Sequence, residues 1–78
     1  MNLYLLTQTT FRGYDTYNSC VVAALDEETA RNTHPVGYVN ERIPSRTWPA
    51  PEFVTVTLIG TADPSVRPGV VCSSFNAG

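Results

Sequence analysis

SCVVAALDEETARNTHP, residues 19–35, joins a strand to a helix with nothing between them, and that junction decides the fold. SCVVAAL, small and mostly apolar with two adjacent valines, reads as a strand. DEETARNTHP then carries helix start and stop signals in a short space. Asp26 can accept hydrogen bonds from first-turn amides, and Glu27 and Glu28 stand where the helix dipole favours negative charge. Glu27 and Arg31 are four residues apart, the spacing of a surface ion pair. Asn32 to Pro35 ends the helix, because the residue before proline avoids the helical region. A helix of about two turns does not persist alone. It must dock on the sheet, through Leu25 and Ala30.

Working outward, NLYLLTQT (2–9) is apolar on both faces at first, which suits a central strand. TTFRGYDTYN (9–18) is turn material, with Gly13 free to take a positive φ and Asp15 and Asn18 able to bond their own backbone. The first two strands are therefore expected as an antiparallel hairpin with a long loop. Residues 36–52 break the pattern, since Pro44, Pro49 and Pro51 cannot donate to a ladder, and the segment is read as an irregular loop. FVTVTLIG (53–60) sets Val54, Val56 and Leu58 against Thr55 and Thr57, an alternating strand. TADPSVRPG (61–69) turns, and VVCSSF (70–75) returns as a last strand whose Val70, Val71 and Cys72 are assigned to the core. The expected fold is α+β: a single domain over residues 1–78 with a mostly antiparallel sheet, order β-β-α-loop-β-β, and one short helix on one face.

Composition narrows the function. A hydrophobic fraction of 42% with 15% charged residues belongs to a folded chain. At 78 residues the chain buries a small core, so a partner or ligand would add usefully to its stability. The net charge is -2, and the five basic residues are all arginine and scattered, which argues against duplex nucleic acid as a partner. No apolar run approaches the roughly 20 residues of a membrane span, and a cytoplasmic setting is expected. Cys20 and Cys72, each in an apolar stretch, read as buried thiols in a reducing compartment, and two cysteines alone make no zinc site. There is no phosphate loop, dinucleotide fingerprint or calcium loop, so no cofactor is expected.

Three groups of residues remain as candidates. Arg12, Tyr14, Asp15 and Tyr17 in the first loop, with Arg46 and Trp48 in the proline segment, are of the types that anchor protein interfaces. Ser73, Ser74, Phe75 and Asn76 offer hydroxyl, amide and stacking contacts suited to a small molecule or nucleotide signal, with a pocket most naturally placed between subunits of a homo-oligomer. Cys72 with His34, the only histidine, is the one conceivable nucleophile and base.

The segments LYLLTQ, GYDTYNSCVVAA, EETARNTHP, VTVTLIGTA and GVVCSSFNAG together resemble a family of small proteins encoded by bacteriophages and prophages. These segments cover well over half the chain and carry no motif of known chemistry. The resemblance implies a viral origin, residence in the host cell cytoplasm, and no catalytic residue. Accessory phage proteins of this size act stoichiometrically, in counter-defence or host takeover. The expectation is therefore a non-enzymatic protein that binds a host protein through the first loop and the proline segment. Sequestration of a small molecule or nucleotide signal is the alternative, and a Cys72-dependent enzyme a minor one.

Overall fold

A computed structural model of the chain describes residues 1–37 and 47–76. Strands β1 (Asn2–Thr7) and β2 (Thr16–Ala24) precede helix α1 (Glu27–Arg31); a single 3₁₀ turn, Pro51–Phe53, then leads into β3 (Thr55–Thr61) and β4 (Gly69–Asn76). The four strands form one sheet in the order β3-β1-β2-β4. Each neighbouring pair is antiparallel. The α+β architecture, an antiparallel sheet with one short helix, thus follows the sequence reading; the order differs slightly, with the Pro51–Phe53 turn in a segment read as irregular, and β1 lies inside the sheet as its apolar run suggests.

Alternation separates the two faces. Leu6 stands opposite Cys20 and Val56, and Tyr4 opposite Val22, so these side chains share the face that α1 covers. Ala24, Ala30, Trp48 and Val54 complete the cluster. The residues between them, Leu3, Leu5, Val21 and Ala23, line the opposite face.

The junction at residues 25–27 forms for the reasons its sequence supplies. Asp26, extended at φ -149 and ψ 169, caps the helix by accepting from the Thr29 amide at 2.7 Å. That bond holds its carboxyl below the usual 3.8. Glu27 meets Arg31 at 3.5 Å. Arg31 also donates to the carbonyls of Val54 and, at 3.5 Å, Pro51, which ties the helix to the start of β3.

Burial corrects three expectations. Ala30 docks the helix, but Leu25 is 79% exposed, because it falls between the last strand residue and the N-cap where the chain leaves the sheet. Val71 and Cys72 are exposed, since β4 is an edge strand and not a core one. Leu58 is exposed as well: β3 is the other edge, and a five-residue helix is too short to cover both.

Candidate functional site: a braced loop at the sheet end

Gln8 follows β1 on the buried face, in step with Tyr4 and Leu6. A buried amide must be satisfied, and this one is. Its Nε2 donates to the carbonyls of Phe11 and Tyr17, both at 2.8 Å, and its Oε1 accepts from the Phe11 amide at 2.8 Å. One side chain therefore ties both ends of the β1–β2 connection together. Sequence reasoning passed over Gln8; the available signal was a lone amide continuing an inward-facing row.

The rest of the loop is braced in turn. Arg12 Nε donates to the Thr9 carbonyl at 3.2 Å, and Thr16 Oγ1 to the Gly13 carbonyl at 2.7 Å. The end of β4 holds the tip from the other side: the Asp15 amide donates to the Asn76 carbonyl at 2.5 Å, and Asn76 Nδ2 to the Gly13 carbonyl at 3.2 Å. The left-handed residue is Asp15, at φ 60, rather than the glycine that sequence favoured. Aspartate tolerates that region better than most residues with a Cβ. Tyr14 stands beside it, 76% exposed.

Beneath the loop lies an aromatic stack. Tyr17 packs on Phe75 with ring centroids 4.8 Å apart, and its other neighbour is His34, edge-on at 6.2 Å. His34 is buried, and Nδ1 accepts from the Val36 amide at 3.1 Å, which assigns the ring proton of the neutral form to Nε2. Burial holds its pKa below the usual 6.5. The Tyr17 amide donates to the Thr47 carbonyl at 3.0 Å, so the chain entering Trp48 is tied to the base of the loop.

The structure thus brings together Arg12, Tyr14, Asp15, Tyr17, Phe75 and Asn76. It separates others. Trp48 is only 1% exposed and belongs to the core, so it is no surface anchor; a sheet face lined by alanine, valine and cysteine needs one large apolar side chain to fill it. Arg46 lies outside the described residues. Ser73 is opposite Cys20 and Ser74 opposite Ser19, on opposite faces of the sheet, so their hydroxyls do not converge on one ligand. Cys72 pairs with Val21 on the face away from α1, whereas His34 sits beneath Tyr17 on the covered face. The two do not form a nucleophile and base.

Among the described residues no three His, Cys, Asp or Glu side chains gather as metal ligands, and no helix is long and apolar enough to cross a membrane. At the other end of β2 is a cavity of ≈ 280 Å³ whose lining, among the described residues, includes Met1, Ala23, Thr29, Thr33 and Pro68 and no charged side chain. No family model matches this chain, and neither a curated protein nor a solved structure does. The class defined by fold and site is a small α+β protein whose open-edged sheet carries a braced loop at one end.

Proposed function

We propose that the chain is a non-enzymatic accessory protein, of phage origin, that binds a host protein stoichiometrically in the cytoplasm through the loop at residues 12–15. The observation that supports this is the bracing itself. Six hydrogen bonds donated by Gln8, Arg12, Asp15, Thr16 and Asn76 hold the loop, while Tyr14, beside Asp15 in the turn, keeps its ring 76% exposed. A loop already fixed in one conformation loses less entropy on binding, so more of its contact energy appears as affinity. Tyrosine and arginine are the residues that most often carry such energy.

The test compares the wild-type chain with Tyr14→Ala as bait in bacterial lysate, followed by calorimetry on the captured protein. The expected result is one-to-one capture that weakens by about 2 kcal/mol or more in Tyr14→Ala, with an unchanged circular dichroism spectrum. Equal affinity of the two chains for the captured protein would contradict the reading.

A further inference from the structure

The bonds that brace the loop at the sheet end leave its charged groups unspent. Arg12 Nε donates to the Thr9 carbonyl, and the two Nη groups have no partner among the described residues. The Asp15 carboxylate has none there either, although the Asp15 amide is bonded to the Asn76 carbonyl. These opposite charges stand three positions apart in the chain, yet no ion pair joins them; among the described residues that bond is made only by Arg31 and Glu27. Tyr14 lies between them in the chain with its ring exposed. Arg67 is exposed too, but nothing among the described residues anchors its guanidinium as Thr9 anchors that of Arg12.

A guanidinium takes a carboxylate through two parallel bonds, along the edge formed by Nε and one Nη or along the edge formed by both Nη groups. The Thr9 carbonyl occupies Nε of Arg12, so the second edge is left for a ligand. Charge selects the anion. Asp15 in the same loop, and a net charge of -2 on the chain, repel a doubly charged phosphate more than a carboxylate. Asp15 in its turn attracts a base. Because the braced backbone keeps Arg12 and Asp15 from pairing with each other, neither must be pulled from an internal partner before it meets an external one.

We infer, on the footing of the proposed function, that the loop recognises two opposite charges on the partner protein: a carboxylate that meets the two Nη groups of Arg12 and a basic side chain that meets Asp15, on either side of Tyr14. A surface with the same two charges in reverse order sets like against like, so the arrangement supplies specificity as well as affinity.

Calorimetry against the protein captured by the wild-type chain tests this. Arg12→Lys keeps the positive charge but loses the paired edge, and is expected to bind about tenfold more weakly. Asp15→Asn keeps a residue that tolerates a positive φ while removing the negative charge, and a loss of about threefold is expected. Binding at wild-type strength by either variant would overturn the inference. Exchange of the amide at position 15 separates the charges from the brace: slow exchange in both variants assigns the losses to the charges, and exchange at the rate of an unstructured peptide assigns them to the brace and overturns the inference. Phosphatase treatment of the captured protein is expected to leave its affinity unchanged; a loss of binding would make the anion a phosphate and refute the carboxylate. If Tyr14→Ala weakens binding and the charge variants do not, the charge pairing fails and the proposed function stands. If Tyr14→Ala binds as the wild type does, or the wild-type chain captures nothing, the proposed function fails and the charge pairing with it.

Discussion

His34 is the residue whose protonation the fold resists. Its pKa is depressed by burial, so the unfolded chain binds the proton more readily than the folded one. Stability is therefore full above the unfolded value of 6.5 and declines as pH falls from there through the lower folded value. Thermal melts between neutral and mildly acidic pH are expected to show that decline, and His34→Asn, which keeps an acceptor for the Val36 amide, to flatten it. Asp26 and Asp63 add a later loss of stability at lower pH, since backbone amides hold both below 3.8 in the fold. The two thiols separate as sharply. Burial, with a smaller contribution from Cys72, pushes Cys20 up to about 12, whereas Cys72 is exposed. One equivalent of an aromatic disulfide reagent should react at once with the native chain, and the second only after denaturant is added; two fast equivalents would show that Cys20 is not in the core. Trp48→Ala removes the largest buried side chain and is expected to cost about 3–5 kcal/mol in a denaturant titration. A loss below about 1 kcal/mol would place Trp48 outside the core.

At the scale of elements, strand and helix identities were written plainly in the chain because each had a local cause. The Asp26 cap, the Glu27 and Arg31 spacing and the alternation beginning at Val54 need no distant residue to be understood. Edge position is different. Nothing within VVCSSF distinguishes a central strand from an edge one, since its apolar half is the same in either place; only the order β3-β1-β2-β4 exposes Val71 and Cys72. Leu25 misled for a related reason, as its exposure depends on where the chain leaves the sheet. The loop was legible in part: residue types marked Tyr14 and Asp15, but the brace from Gln8 and the contact between Asp15 and Asn76 join residues far apart in sequence. Gln8→Leu keeps the burial while removing three hydrogen bonds, and leaves the Phe11 amide and the Phe11 and Tyr17 carbonyls without that partner. It is expected to destabilise by about 1–3 kcal/mol and to weaken capture of the partner, with melting and calorimetry as the two readouts.

For the whole molecule, a core on one sheet face supports a rigid display at one end and an open edge along one side. A chain of this size has little stability to spare, and its largest aromatic, Trp48, is committed to the core instead of the surface. In the proposed function, recognition falls to a loop that is held by backbone and amide bonds. The central claim is that residues 12–15 are ordered before any partner arrives. Amide hydrogen exchange on the isolated chain, read residue by residue, tests it directly. The Asp15 and Phe11 amides, bonded to the Asn76 carbonyl and Gln8 Oε1, should exchange on the timescale of the β2 amides; exchange at the rate of an unstructured peptide at both positions would contradict the account.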